Sequence, residues 1–496
     1  MFEIFFHSLI LLIFFWAVRT TKAVLFWLYL WQLKEYHTGR FKAHFQTEKG
    51  KRLIWNKIFI GKLFLLVSFS FLFSYAFFIL LFVYFIELSK ALLDFLRKRI
   101  KKPVLTKKTV FLIIFNLSFV FLIAAYIAIQ TKMPLLQGLG FWLLLIDILI
   151  PLVVSLIVLL SQPLTVLLRN RVLEKAKKKR EQFKDLIVIG ITGSYGKTST
   201  KEFLYTILSE KFKVLKTKEH QNSEIGIAQC ILNDLKLEHK IFICEMGAYN
   251  KGGIKLLCDI VKPKIGVLTG INEQHMATFG SLENIIKTKF ELIESLPKDG
   301  TAFFNAKNKY CQELYEKTLI KKKLYAREQE TGEEENLAGA VAVAKELGMN
   351  DQEIEQAKKK IKFGLQVEKI KNLNIINSTY SSNPHSVISH LEYLKKWQGR
   401  RVIIMPCLIE LGQASKQVHQ RIGQKIDEVC DLGIITTKEC FSSLEKSCDS
   451  KKCQIVFLEN PKEIFEKIKD FNNKNDIILL EGRLSREIIN LFYANN

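Results

Sequence analysis

The chain has 496 residues and a net charge of +24, long enough for two or three domains. Its first 185 residues carry 27 Lys and Arg against 9 Asp and Glu, whereas the remaining 311 carry 46 against 40. The positive surplus therefore lies with the long apolar runs, which points to anionic lipid headgroups. With no zinc finger, RNA-binding signature or basic zipper, nucleic acid is excluded as a partner.

The N-terminal third reads as an α-helical transmembrane region, residues 1–168. A helix needs about 20 apolar residues to cross a bilayer. Leu63–Ile86 and Val110–Ile129 are such runs without a charge, and 138–168 is long enough despite Asp147, Pro151 and Pro163. Ile4–Val18 and Ala23–Leu33 are split by Arg19 and Lys22, so one long tilted helix and a re-entrant pair both fit. The start lacks the basic region and small-residue cleavage site of a removable signal.

The basic stretch 169–185 is expected to be a cytoplasmic linker, by the excess of Lys and Arg on the inner side of membranes. By the same rule 87–109 lies inside and 130–137 outside. Residues 34–62 carry eight Lys or Arg, yet simple alternation puts them outside. Either the N-terminal element does not span, or Leu63–Ile86 returns to the side it came from. Asp147 is a functional candidate because charges inside membranes are rare; the alternative is a residue hydrogen-bonded within the helix bundle.

All nine cysteines follow residue 229 at irregular spacing, the pattern of reduced thiols in a cytosolic domain rather than a disulfide framework. The spacings of Cys430, Cys440, Cys448 and Cys453 fit no common zinc motif.

From Leu186 the sequence becomes α/β. Leu186–Ile191 reads as a buried strand, followed by TGSYGKTST and a helix from near Thr198 to about Glu210. Strand, glycine loop and helix are the context of a phosphate loop. Its backbone amides and helix N-terminus favour an anion. Lys197 can reach the β and γ phosphates, and the Thr198 hydroxyl can ligate Mg²⁺. Ile191 stands where the strict motif has its first Gly. A second strand, Lys240–Cys244, ends in Glu245, where nucleotide folds place a magnesium ligand. A third, Lys264–Leu268, leads to Asn272, Glu273 and His275.

Together these stretches resemble the Mur ligases, in particular the branch that adds D-alanyl-D-alanine to the muramyl tripeptide. The resemblance runs in order through GITGSYGKTSTKEF (190–203), QNSEIGIA (221–228), EMGAYNKGGI (245–254), 262–294, FFNAKN (303–308), TYSSNPHS (379–386) and IELGQASKQVHQRIG (409–423). It implies a phosphate-loop Mur ligase central domain over 186–366 and a Rossmann-like C-terminal domain over 367–496. The cofactors implied are ATP and Mg²⁺.

The reaction implied has two steps: a carboxylate becomes an acyl phosphate, and an amine then displaces phosphate. Thr192, Gly193, Ser194, Tyr195, Gly196, Lys197, Thr198 and Ser199 would hold the nucleotide, with Asn305 and Asn336 near the adenine. Thr198 and Glu245 match ligands of a first magnesium and His275 one of a second. Lys289 matches a carbamylated lysine serving that second metal. Lys197, Lys289 and His275 would carry the catalysis. Tyr380 and Asn383 fall in the C-terminal substrate motif.

The departures bear on the substrates. The family's UDP-sugar-binding domain is absent and the membrane region stands in its place. The family's His-Asn before the adenine-side asparagine is Gly332-Glu333. Its acidic pair becomes Asn377 and Ser378, its Gly-Asp-Met is Pro406-Cys407-Leu408, and its late Lys-Gly-Ser-Arg is Glu481-Gly482-Arg483-Leu484.

The function expected is an amide ligase of cell-wall precursor synthesis at the cell membrane, with its ATPase domain cytoplasmic. It would act on a lipid-linked precursor with an amino acid or dipeptide as amine donor. The alternative is a non-catalytic ATP-binding membrane scaffold. A transporter is disfavoured, because the Leu-Ser-Gly-Gly-Gln signature is missing.

Overall fold

The structure is a computed structural model. It describes residues 2–493 apart from 46, 70, 98–99, 131–135, 220, 331, 362–364, 371–372, 380–381, 449–452 and 472. The chain divides into two compact units, Met1–Leu168 and Arg169–Asn496.

The first unit is helical: α1 (Phe2–Leu33), α2 (Thr38–His44), α3 (Glu48–Ile54), α4 (Lys57–Ser68), α5 (Phe73–Leu96), α6 (Lys107–Gln130), α7 (Leu136–Leu160) and the start of α8 (Gln162–Glu181). Four segments are long and apolar enough to cross a membrane: His7–Leu33, Tyr75–Leu96, Lys107–Gln130 and Gly138–Leu160. α1 is continuous because its two cationic residues are neutralised by α5. Arg19 Nε lies 3.0 Å from Glu87, and Lys22 Nζ lies 2.9 Å from Asp94.

The run Leu63–Ile86 is not one helix. α4 ends at Ser68 and α5 begins at Phe73. No Gly or Pro lies between them; instead the buried Phe69 ring turns inward against Phe141, with centroids 6.3 Å apart. The stretch of α5 long and apolar enough to cross is Tyr75–Leu96, which runs past Glu87 because of the pairing just described. Asp147 is hydrogen-bonded inside the bundle, since Lys62 Nζ donates to both Asp147 and Glu87 at 2.6 Å.

The ends of the helices sort clearly. The Gln32 side chain exchanges two hydrogen bonds with the Val104 backbone, at 2.9 and 2.7 Å, and Gln162 donates to the Tyr36 carbonyl at 3.3 Å. The 34–36 turn, the α5–α6 connection and the start of α8 therefore share one end of the bundle. α4 and α5 leave that end and return to it.

In the second unit, the stretch expected to be a linker is helical. It is docked by Leu173 and Ala176 and by Arg180, which donates to the carbonyls of Val261, Phe183 and Leu186. Two six-stranded sheets follow. The first comprises β1 (Ile187–Thr192), β2 (Val214–Lys216), β3 (Ile241–Glu245), β4 (Ile265–Leu268), β5 (Thr301–Asn305) and β6 (Lys321–Tyr325), all parallel in the order β2-β3-β1-β4-β5-β6. The second comprises β7 (Val367–Ile370), β8 (Leu373–Ser378), β9 (Arg401–Met405), β10 (Leu432–Ile435), β11 (Gln454–Phe457) and β12 (Ile477–Glu481), in the order β11-β10-β9-β12-β8-β7 with β7 antiparallel at the edge. The inner strands are continuous apolar runs because helices cover both faces, giving each sheet two apolar layers.

One expectation about the cysteines fails. Cys407 and Cys440 form a disulfide, with Cα atoms 5.9 Å apart. The two residues follow the neighbouring parallel strands β9 and β10, a proximity in space that their 33-residue separation hides.

Candidate nucleotide and metal site

In doubly wound sheets, ligands bind beyond the carboxyl ends of the strands, where the strand order reverses. β1 occupies that position, and residues 192–199 leave its end. Gly196 takes φ +76° and begins the helix Lys197–Leu208 without a side-chain cap. The first amides of that helix are therefore free of any capping side chain and available to an anion. A Cβ on Gly196 would meet Asn336 Oδ1 at 2.2 Å, and one on Gly193 would meet Thr269 Oγ1 at 2.1 Å, so both positions need glycine. The loop is held by Thr192 Oγ1, which donates to the Met246 carbonyl at 3.0 Å, and by Ser194 N, which donates to the Gly270 carbonyl at 2.7 Å.

Lys197 Nζ folds back onto the Gly193 carbonyl at 2.8 Å. Burial lowers its pKa and Glu245 partly opposes this. Thr198 Oγ1 donates to Glu245 Oε2 at 3.1 Å, bringing together the two oxygen donors expected to hold a magnesium ion. Burial pushes the Glu245 carboxyl up, but the Lys197 and Lys201 charges and hydrogen bonds from Asn222 and Lys201 outweigh it, so its net shift is downward. The carboxylate is ionised, as a hard-cation ligand must be.

His275 stands at φ +65° after β4, with Nδ1 2.6 Å from Glu410 Oε2. Burial lowers its pKa against the pull of Glu410, and the charges on Lys289 and Lys197 lower it further. Lys289 is buried on the helix Leu282–Glu294. Burial, then the charge of Lys197, brings its pKa down to about 7. Lys197 thus lowers both His275 and Lys289, and Lys289 lowers His275, so the three side chains act on one another's surroundings at this site.

Asn305 is buried and donates to the Thr269 carbonyl at 3.0 Å and to Glu335 at 2.9 Å. Asn336 donates to the Gly332 carbonyl at 3.2 Å and accepts from Thr200 at 3.4 Å, beside Gly196. Asn383 caps the helix Pro384–Leu394 and accepts from Asn272 at 3.3 Å. The Tyr195 ring stacks on His385 at 3.8 Å. The C-terminal sheet's loops therefore reach the phosphate loop at Tyr195 and the 272–275 loop at Asn272 and His275. Tyr380 lies outside the described residues.

Sequence reasoning missed Lys201, Asn222, Glu335 and Glu410. Lys201 is fully buried and pairs with Glu245 at 3.0 Å. Its signal was a lysine one helical turn after Lys197, on the same face. Glu410 comes from the other sheet, and no local pattern ties it to His275.

Residues 191–382 match the family model of the Mur ligase middle domain, and residues 365–484 match the Mur ligase, glutamate ligase domain. The segment 191–484 belongs to the Mur ligase family. The UDP-N-acetylmuramoyl-tripeptide--D-alanyl-D-alanine ligase of Synechocystis is 31% identical over 275 residues, which are 48% of this chain and 59% of the relative. The protein of that name from Bacillus subtilis is 26% identical over 341 residues, 60% of this chain and 72% of the relative. Among solved structures, a MurF ligase from Thermotoga maritima in complex with ADP superposes with a TM-score of 0.58 at 24% identity, covering 66% of this chain and 83% of that one. A MurF from Acinetobacter baumannii gives 0.59 at 23%, with 66% and 80% covered. These two establish the Mur ligase fold of the second unit. The chain spans only 59% of the length of the Synechocystis relative.

Proposed function

We propose that the protein is an ATP-dependent carboxylate–amine ligase of cell-wall precursor synthesis, anchored in the cell membrane. One observation carries this reading: an uncapped helix N-terminus with Lys197 stands beside the Thr198–Glu245 pair. In the first step, a substrate carboxylate oxygen attacks the γ-phosphorus and ADP leaves. Lys197 and the helix amides stabilise the charge that builds on the transferred group. In the second step, an amine attacks the acyl carbon, and phosphate departs with the original carboxylate oxygen.

The donor sets suit Mg²⁺, which neutralises phosphate charge when bound. Thr198 and Glu245 would hold one ion. His275 and a carbamylated Lys289 would hold another. With a pKa of about 7, the Lys289 amine is deprotonated in good part at neutral pH, the form that adds CO₂.

The acceptor we propose is a muramyl peptide linked to a membrane lipid, with an amino acid or dipeptide as amine. Two features support this: the named substrates of the relatives, and the four apolar helices preceding the matched segment. The shared end of the bundle gathers basic connections, including Lys34, Lys101 and Lys102, which favours a cytoplasmic position for that end and for the ATP site. Labelling by an impermeant thiol reagent of a cysteine introduced at Lys178 in intact cells would contradict that orientation.

The test uses full-length protein in detergent, with ATP, a lipid-linked or UDP-linked muramyl tripeptide, and D-alanyl-D-alanine. Phosphate release is expected to require both carboxylate and amine. Nucleotide binding without phosphate release would favour a non-catalytic nucleotide-binding membrane scaffold. The replacement of the family's Gly-Asp-Met by Pro406-Cys407-Leu408, with Cys407 in a disulfide, speaks for that second reading.

A further inference from the structure

Cys407, His419 and Cys440 converge from three segments. Cys407 follows β9, Cys440 follows β10, and His419 lies in the helix Ser415–Val429. One ligand atom from each lies within 4.8 Å of the other two, and all three side chains are buried. The imidazole is already oriented. Its Nδ1 lies 2.6 Å from the Ser415 carbonyl, so Nδ1–H donates there and Nε2 keeps its lone pair. Among the described residues, its hydrogen bond is from a backbone donor, Leu408 N at 3.0 Å. A second backbone amide, Cys440 N, donates to Cys407 Sγ at 3.1 Å, a contact that also stabilises a thiolate.

We propose that Cys407, Cys440 and His419 form a zinc site when the two cysteines are reduced. The disulfide is the oxidised form of the same cluster. Two thiolates and one imidazole are a common zinc donor set, with a fourth position for water. A ring nitrogen donating to a backbone carbonyl is the usual means of orienting a zinc-bound histidine. Burial holds the His419 pKa down, which keeps the ring in the neutral form that a metal requires.

The chemistry balances. Two glutathione-type thiols reduce the disulfide, leaving two cysteine thiols and one oxidised glutathione. Zn²⁺ then displaces two thiol protons. The proposal rests on the cytoplasmic placement of this domain, where thiols are kept reduced. It does not depend on the ligase reading.

The site has a structural consequence. Cys407 begins the loop that carries Glu410 to His275 and sets Gly412 against Ala277. Metal at the head of this loop would fix the presentation of Glu410. Disulfide formation and metal loss would occur together, tying this contact to the redox state.

The test measures metal in the full-length protein, purified in detergent with a non-chelating phosphine reductant. About one equivalent of zinc per chain is expected. Cobalt exchanged into the site should give the intense visible bands of a tetrahedral thiolate centre. Cys407→Ser, Cys440→Ser and His419→Gln should each lose the equivalent, while Cys448→Ser, outside the cluster, keeps it. Circular dichroism identifies any variant that has failed to fold, and the wild-type cobalt spectrum stands without the variants. The proposal is overturned if the reduced, folded wild type takes up neither metal stoichiometrically. It is also overturned if acid-trapped protein from cells shows Cys407 and Cys440 still bonded.

Discussion

His275 Nδ1 and Glu410 Oε2 lie 2.6 Å apart, although 135 positions separate them and they project from the loops of different sheets. A neighbouring bond repeats the tie, since Ala277 N donates to the Glu410 carbonyl at 3.0 Å. Glu410 itself stands at φ +65°, a conformation that costs energy for a residue with a side chain and persists where surrounding contacts hold it. Glu410 thus orients His275 from outside the set of residues proposed to touch metal. Glu410→Ala should lower turnover about 10–100-fold, the range typical of lost outer-shell partners, with nucleotide affinity little changed. A titration of ATP analogue binding beside the rate separates the two effects.

Lys289 should behave differently from Lys197. It is buried near His275, and Lys197 and the first pair of oxygen donors do not depend on it. Lys289→Ala is expected to reduce turnover by about 100-fold or more while leaving ATP binding nearly intact. Short carboxylic acids or high bicarbonate should restore part of the rate by filling the vacated ligand position. In the wild type, added CO₂ should help more above pH 7 than below it, because the amine loses its proton as pH rises through about 7. Native turnover in Lys289→Ala would remove Lys289 from the site.

Lys201 offers a prediction about both stability and pH. Its ammonium is fully buried against Glu245. Removing one partner of a buried ion pair leaves the other uncompensated, at a cost of about 3–5 kcal/mol. Lys201→Met should therefore lower the denaturant midpoint of the second unit. It should also raise the Glu245 pKa, because a cation favouring the ionised form is lost. The acid limb of the activity profile would then move to higher pH. An unchanged acid limb would show that Glu245 does not limit activity there.

The helical unit carries its own test. Lys62 bridges Glu87 and Asp147, and the Lys62 and Asp147 side chains are almost fully enclosed. Lys62→Met should destabilise the unit by about 3–5 kcal/mol, seen as a fall in thermal midpoint in detergent. Lys62→Met combined with Asp147→Leu should lose less than Lys62→Met alone, since the orphaned carboxylate is removed as well. A double-variant loss equal to the sum of the Lys62→Met and Asp147→Leu losses would mean that the pair is not coupled.

Much of the α/β unit is legible in the sequence because parallel strands covered on both faces read as continuous apolar runs. Leu186–Ile191 is found as Ile187–Thr192, Lys240–Cys244 as Ile241–Glu245 and Lys264–Leu268 as Ile265–Leu268, each within one residue of the expected ends. The phosphate loop is legible because its glycines, lysine and threonine are local. What escapes is long-range. The helix break at 69–72 has no Gly or Pro and arises from Phe69 turning onto Phe141. Glu410 and the Cys407–Cys440 pair depend on which strands lie side by side. In α1, Arg19 and Lys22 suggested a possible break, but partners on α5 neutralise both. The Gln32–Val104 bonds put the end of α1 beside the α5–α6 connection, so the α4–α5 pair leaves and returns to one end of the bundle, an arrangement that fits the second alternative for residues 34–62.

The acyl phosphate is the centre of the account, and isotope transfer tests it most directly. Full-length protein is given ATP, D-alanyl-D-alanine and a muramyl tripeptide whose reacting carboxylate carries ¹⁸O, and the released phosphate is analysed by mass spectrometry. The carboxylate oxygen that attacks the γ-phosphorus must leave with phosphate when the amine takes the acyl group. One ¹⁸O in each phosphate is therefore predicted, with none released by Lys197→Ala. Phosphate free of ¹⁸O at a rate indifferent to the amine would contradict the account.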